Sequence, residues 1–225
     1  KKAFGSHFID VLGLAELQDY RYTGFGAQAK QFGTNFFGFN NLGAGAEVKY
    51  GDVSSYSNDY SIASFMGRFN YSYADKYIAT INMRADGSSK LGANNKWGFF
   101  PSVAAAWTIS NEKFMKNVKA VQDLKLRASF GIVGNQAIDP YSTLGLMTQT
   151  KYNFGTSSDY VGYWANDIAT PDLTWEKTRQ FDIGLDFAMF NHRLSVSVDY
   201  FDKRTTDALL KKTMPSYKGG ASYWV

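Results

Sequence analysis

From Ala63 to Tyr73 the odd positions carry Ala63, Phe65, Gly67, Phe69, Tyr71 and Tyr73, and the even positions carry Ser64, Met66, Arg68, Asn70 and Ser72. After Ala74-Asp75 the alternation resumes, with Tyr77, Ala79, Ile81, Met83 and Ala85 set against Lys76, Ile78, Thr80, Asn82, Arg84 and Asp86. A period of two sends successive side chains to opposite faces, so the pattern predicts two β-strands joined by a tight turn. Each arm has the roughly 9–11 residues that a tilted membrane strand needs, about twice the common length in globular proteins.

The same period recurs downstream. It runs through Phe99–Ile109, Leu124–Ile132 and Phe181–Met189 and, after a turn at Asn191-His192, through Leu194–Tyr200. An earlier strand near Phe8–Tyr20 alternates less cleanly, and its faces are not assigned. One face collects Arg68, Lys76, Arg84, Lys125, Arg127, Asp182, Asp186 and Asp199, while the other is nearly free of charge at mid-strand. A cation turned to lipid at mid-membrane costs roughly 2–4 kcal/mol, whereas one turned to a watery lumen costs little. The fold expected is therefore all-β: part of a large antiparallel transmembrane β-barrel, with about seven strands in this chain. A soluble β-sandwich would alternate too; strand length and the asymmetry of the connections favour the barrel.

Ala74-Asp75 and Asn191-His192 are tight, whereas the stretches 21–59, 87–98, 134–173 and 211 onward are long and rich in Gly, Asn, Ser and Tyr. Membrane barrels have short periplasmic turns and long extracellular loops, which sets the orientation. One longer periplasmic connection, 111–123, is expected to hold a short helix capped by Ser110. Bacterial single-chain barrels use even strand numbers, and unpaired edges are costly in lipid, so seven strands point to an incomplete wall. The Lys1-Lys2-Ala3 start, without an initiator Met or signal sequence, points the same way.

Composition agrees. The 18 Phe, 15 Tyr and 5 Trp need a home, and 21 Gly with 4 Pro suit many strands and turns. No apolar run approaches the roughly 20 residues of a membrane helix. A slightly negative mean hydropathy does not exclude a barrel, whose outward and inward residues cancel in any average. The net charge of +4 is scattered, without the clustered basic run of a nucleic-acid binder. Zero Cys removes disulfides, zinc-thiolate sites and thiol nucleophiles together.

Four stretches carry a resemblance: FMGRFNYSYADKYIATINMRADGSSK, WGFFPSVAAAWTISNEKFM, LKLRASFGIVGNQAIDPY and TPDLTWEKTRQFDIGLDFAMFNHRLSVSVDYFDKRTTDALL. In order and spacing they resemble the middle-to-late barrel of the SusC/RagA-like TonB-dependent transporters, and they cover most of the chain from Tyr60 onward. The resemblance implies a 22-stranded barrel in the outer membrane of a Gram-negative bacterium. It also implies an N-terminal plug, energy coupling through TonB, and a SusD-like surface lipoprotein that closes as a lid. Residues 1–225 are then expected to be partial barrel only, with plug, TonB-contacting segment and terminal strand lying elsewhere.

Candidate chemistry is sparse. Asp86-Gly87-Ser88-Ser89 reads as a turn in which Asp and Ser bond nearby amides, with a sugar hydroxyl or an ion as the alternative ligand. Trp97-Gly98-Phe99-Phe100-Pro101 reads as part of an interfacial aromatic girdle, with a stacking platform as the alternative. Tyr152, Phe154, Tyr160, Tyr163 and Trp164 lie in the longest late loop, where flat rings stack on sugar faces, pack on a lid protein or pack on one another. His7 and His192 are isolated in sequence. Arg68, Arg84, Arg127, Asp182 and Asp186 read as lumen-facing electrostatics rather than catalytic pairs, and Gly131-Ile132-Val133-Gly134 lacks the helix and Lys of a phosphate loop.

The expected function is import of an oligosaccharide or peptide across the outer membrane, without catalysis, cofactor, metal or nucleic acid. A structural barrel subunit of an envelope assembly is the second reading. A soluble β-sandwich that binds or hydrolyses carbohydrate is the third.

Overall fold

The computed structural model describes residues 2–49, 51–118, 120–155 and 160–225. In chain order the strands are β1 (Lys2–Phe4), β2 (His7–Ala27), β3 (Lys30–Phe32), β4 (Gly45–Glu47), β5 (Val53–Tyr73), β6 (Tyr77–Ser88) and β7 (Trp97–Thr108). They continue with β8 (Val121–Asn135), β9 (Met147–Tyr152), β10 (Tyr160–Ala165), β11 (Glu176–Met189), β12 (Leu194–Thr206), β13 (Lys211–Thr213) and β14 (Ser222–Trp224). Eight of them form one sheet in the order β1-β2-β5-β6-β7-β8-β11-β12. Seven of the eight are long, and each neighbour in the sheet is the next long strand in sequence.

Register follows the pleat. Phe69 faces Ile81, which faces Val103, which faces Phe130, which faces Phe181. One residue along, Asn70, Thr80, Ala104, Ser129 and Asp182 form the neighbouring row. Shifting any strand by one residue would exchange apolar for polar faces along its whole length. The apolar face is exposed: Met83 is 55 % accessible, Val103 48 % and Phe130 43 %. Exposed apolar surface on this scale needs a partner, and here it is one continuous side of a sheet.

Aromatic rings bound that face at two levels. Tyr73 stacks on Tyr77 with centroids 6.4 Å apart, and Tyr77 on Trp107 at 6.4 Å. At the other end Phe65 stacks on Trp97 at 6.1 Å. Trp97 and Trp107 sit on one strand, about 34 Å apart at roughly 3.4 Å per residue. At a tilt near 40° that becomes about 26 Å of height, matching the ~25 Å apolar band of an outer-membrane barrel. On β12 the charge-free stretch of this face ends at Asp202, which pairs with Arg204 at 3.3 Å.

The turns at one end of the sheet are compact. Ala74 and Asp75 take left-handed φ of 51° and 53°, and Phe190, Asn191 and His192 take 58°, 57° and 59°. The β7–β8 connection differs from its expectation. It forms two 3-10 turns, Ile109–Asn111 and Lys113–Met115, and no side chain caps either. Ser110 lies inside the first turn and caps nothing. Glu112 organises the segment instead, accepting from Lys76 Nζ at 2.7 Å, Tyr77 OH at 2.7 Å and Trp107 Nε1 at 3.2 Å.

The connections 89–96 and 136–175 share one buried cluster at the opposite end. Leu91, Phe100, Ile138, Leu173 and Trp175 pack together, with Phe100 edge-on to Trp175 at 5.2 Å. Trp175 Nε1 donates to the Lys96 carbonyl at 3.0 Å, and the Gly92 amide donates to the Leu173 carbonyl at 3.0 Å. A Cβ on Gly92 would lie 2.0 Å from the Pro171 carbonyl oxygen, so no other residue fits there without moving backbone.

Residues 19–61 form a compact unit distinct from residues 1–18 with 62–225. In it β2 and β5 continue beyond what their alternation predicted. The stretch 21–59, expected as a loop, is a loop only between Ala27 and Val53. Tyr20 packs on Tyr60 at 5.0 Å, and Tyr56 OH donates to Tyr22 OH at 2.9 Å. β3 and β4 pair between the two strands, flanking a 3-10 turn at Gly38–Ala44.

Candidate functional site

The polar face is a lattice of self-paired side chains. Arg68 Nε donates to Asn82 Oδ1 at 2.8 Å, Asn82 Nδ2 to Ser102 Oγ at 3.0 Å, and Thr80 Oγ1 to Asn70 Oδ1 at 2.8 Å. Arg84 Nε bonds both oxygens of Asp86, at 2.9 and 2.7 Å, while its Nη2 reaches Ser64 Oγ at 3.2 Å. The pleat creates these contacts, because residues two apart on one strand and opposite one another on its neighbour point the same way.

A second group forms where β8, β11 and β12 meet. Arg127 sits between two carboxylates, with Nε 3.1 Å from Asp186 and Nη2 2.6 Å from Asp199. Ser197 Oγ donates to Asp186, Ser129 Oγ to Asp182 at 3.3 Å, and Gln180 Nε2 to Asp182 at 2.9 Å. Gly184 lies beneath Arg127, where a Cβ would come 2.7 Å from the guanidinium carbon.

Between these side chains lie two recesses. The larger, about 630 Å³, is lined by Glu16, Gln18, Arg84, Asp86, Phe100 and Gln136 among others. Gln136 Oε1 is buried there and makes no hydrogen bond among the described residues. The smaller, about 210 Å³, opens where Ala104, Ala106 and Gly184 leave room beside Thr80, Arg127 and Asp182. Glu16 and Gln18 settle the faces of β2 that its sequence left unassigned. They stand on the polar side, while Gly13 and Ala15 border Phe65, Met83 and Phe99 on the apolar side.

Arg68, Arg84, Arg127, Asp182 and Asp186 thus all lie on the polar face, and Arg127 and Asp186 are in direct contact. Asp199 and Ser64, which the alternation also put on this face, pair with Arg127 and Arg84, and Glu16 lines the recess beside Arg84. Asp86-Gly87-Ser88-Ser89 divides: Asp86 and Ser88 are buried at the end of β6, and the Lys90 amide donates to Ser88 Oγ at 3.2 Å. The Trp97–Pro101 motif divides as well. Trp97 and Phe99 are exposed on the apolar face, whereas Phe100 is buried against Trp175 on the other. His7 Nδ1 meets Tyr71 OH at 2.8 Å, and His192 Nδ1 lies 3.4 Å from Asp123. Gly131–Gly134 is part of β8.

The loop aromatics lie on the β9–β10 hairpin, whose register puts Tyr152 opposite Tyr160 and Thr148 opposite Trp164. Tyr152 stacks on Phe154 at 6.4 Å, and Phe154 meets Tyr160 at 5.8 Å. Gly162 permits this, since a Cβ there would lie 2.0 Å from the Tyr152 ring. Tyr152, Phe154, Tyr160 and Trp164 therefore share one face, and Tyr163 points to the other. All five are exposed.

Comparison with known proteins agrees with this architecture. The TonB dependent receptor-like, beta-barrel family matches residues 4–225. TonB-dependent receptor P3 of Formosa agariphila is 40 % identical over 221 residues, covering 98 % of this chain and 22 % of that protein. TonB-dependent receptor SusC of Bacteroides thetaiotaomicron is 32 % identical over 219 residues, 95 % of this chain and 21 % of its own length. The chain thus spans about a fifth of these relatives. The structure of the RagAB peptide transporter superposes with a TM-score of 0.86 at 31 % identity, covering 97 % of this chain and 24 % of the other. With the exposed apolar face, the paired polar face and the all-antiparallel wall, the chain belongs to the TonB-dependent receptor β-barrel family, among its SusC/RagA-like members.

Proposed function

We propose that this chain is lumen wall in an outer-membrane importer that passes an oligosaccharide or peptide to the periplasm without catalysis. The TonB complex energises it, and a SusD-like surface lipoprotein hands over the cargo. The observation that carries this reading is the division of one sheet into two unlike faces. One is a charge-free band bounded by Tyr77–Trp107 and Phe65–Trp97. The other is a hydrogen-bonded polar surface with a recess of about 630 Å³.

Paired charges suit a conduit. Arg127 held by Asp186 and Asp199, with Lys125 also close to Asp186, offers polarity and little net field, so a neutral or zwitterionic oligomer can slide along it without being trapped. The aromatic face of the β9–β10 hairpin, which bears Tyr152 and Trp164, is the candidate contact for cargo or lid.

Growth of the native host on a panel of oligosaccharides and peptides, with the gene deleted and restored, tests the reading. Loss on one nutrient class is expected, rescued by the wild-type gene and not by Ala104→Trp, which fills the smaller recess; heat-modifiable gel migration shows that the variant still assembles. Growth retained on every nutrient, with an envelope defect instead, would point to an assembly subunit. Extraction into buffer without detergent would sink the barrel itself.

A further inference from the structure

We propose that the β7–β8 connection seats on the periplasmic leaflet of the bilayer, with Phe114 among the acyl chains and Lys113 and Lys116 on the phosphates of anionic phospholipid. The proposal rests on the transmembrane reading and adds a site to it.

The geometry begins with Glu112. Its carboxylate takes the indole N–H of Trp107 and the phenol of Tyr77, and both rings belong to the stacked row on the apolar face. Glu112 therefore bridges the rim, with Oε1 on the lipid-side rings and Oε2 on Lys76 of the polar row. The chain leaves that anchor directly into the 3-10 turn Lys113–Met115. Phe114 is 64 % accessible there and Val118 42 %, beside an apolar band that already needs hydrocarbon.

The next turn continues the strip. The Phe190 amide donates to the Ala120 carbonyl at 3.2 Å, and Phe190 too is exposed, followed closely by Arg193. Exposed rings interleaved with cations at the edge of a lipid band form an interfacial pattern, in which the ring dips and the ammonium stays at the headgroup. The charge is complementary to an anionic leaflet: Lys113 and Lys116 are exposed, Lys119 follows in sequence, and the one acid of the segment is engaged by Lys76.

The absence of cysteine from residues 1–225 gives a direct test. A nitroxide is placed at Phe114→Cys in the intact receptor, with any cysteine elsewhere replaced by serine. Phosphatidylethanolamine vesicles are made with one lipid in four either phosphatidylglycerol or phosphatidylcholine. Met83→Cys is the lipid reference and Tyr217→Cys, at a site 84 % accessible, the water reference.

In phosphatidylglycerol vesicles the ratio of oxygen to nickel-chelate collisions at 114 should exceed that at 217 several-fold. It should fall when phosphatidylcholine replaces phosphatidylglycerol, or when Lys113→Gln and Lys116→Gln are combined. A ratio at 114 equal to that at 217 in both vesicles overturns the seat. Embedding that ignores both lipid charge and the lysines overturns the role of anionic phospholipid. If Met83 itself reads as water, the transmembrane reading fails, and the seat with it.

Discussion

At the scale of single residues, one carboxylate orders the short rim. Three donors around Glu112 hold it ionised down to about 2, against a usual 4.5, with the Lys76 ammonium the first cause and the Tyr77 hydroxyl the second. A depressed carboxylate stabilises the folded chain above its unfolded value, and that contribution is lost as pH falls through the folded value. The segment 109–118 should therefore stay in place at pH 4 and loosen near pH 2, which amide hydrogen exchange at Thr108 and Val118 reads directly. Glu112→Gln should bring the loosened state to neutral pH; unchanged exchange would show that the backbone holds the turn alone. Gly92 makes the complementary case at the other rim. Gly92→Ala should expose the 136–173 connection to limited proteolysis, because its Cβ would collide with the Pro171 carbonyl oxygen.

At the scale of elements, a strand that alternates cleanly has two environments to satisfy. Val103→Arg, at mid-band on the apolar face, should cost about 2–4 kcal/mol in urea titrations of the reconstituted receptor. The neighbouring Ala104→Arg, on the polar face, should leave stability within about 1 kcal/mol, as expected of a solvated charge. Equal penalties would mean that both faces meet the same medium. This contrast is also why the long strands could be read from sequence: between Ala63 and Asp86 each side chain reports its face. Where the demand lapses, so does the legibility. β2 and β5 reach Ala27 and Val53 through Tyr, Gly, Thr, Asn and Ser, with no apolar repeat to announce a strand. Leu91, Leu173 and Trp175 are not legible in the sequence, because single apolar residues in loops have no period and only the closed fold shows that they touch. The five charged residues were legible as a face, whereas the Arg127–Asp186–Asp199 pairing needed the register of three strands.

At the scale of the whole molecule, the aromatic hairpin and the polar wall are separable. Combined Tyr152→Ala and Trp164→Ala should weaken uptake or lipoprotein capture while the receptor assembles normally, and Tyr163→Ala, on the opposite face, should do less. Detergent pull-down with the proposed SusD-like lipoprotein checks this; equal effects from both faces would count against a one-sided platform. The neighbour-to-neighbour strand order described above has a kinetic consequence. Most pairings in the sheet close short loops, so the wall can grow one hairpin at a time. The steps from β2 to β5 and from β8 to β11 are the exceptions, and the second is the longer. A connection about ten times longer than a tight turn is about 2 kcal/mol harder to close. The cluster of Leu91, Phe100, Leu173 and Trp175 bridges that gap, because it gathers the residues just before Glu176, which pairs with Asn135 as the ladder begins. Trp175→Ala should accordingly delay the docking of β11 in refolding experiments and leave the β5–β6–β7 meander on time. The clasp that shapes the outer mouth would then also be the splint that sets the order of assembly.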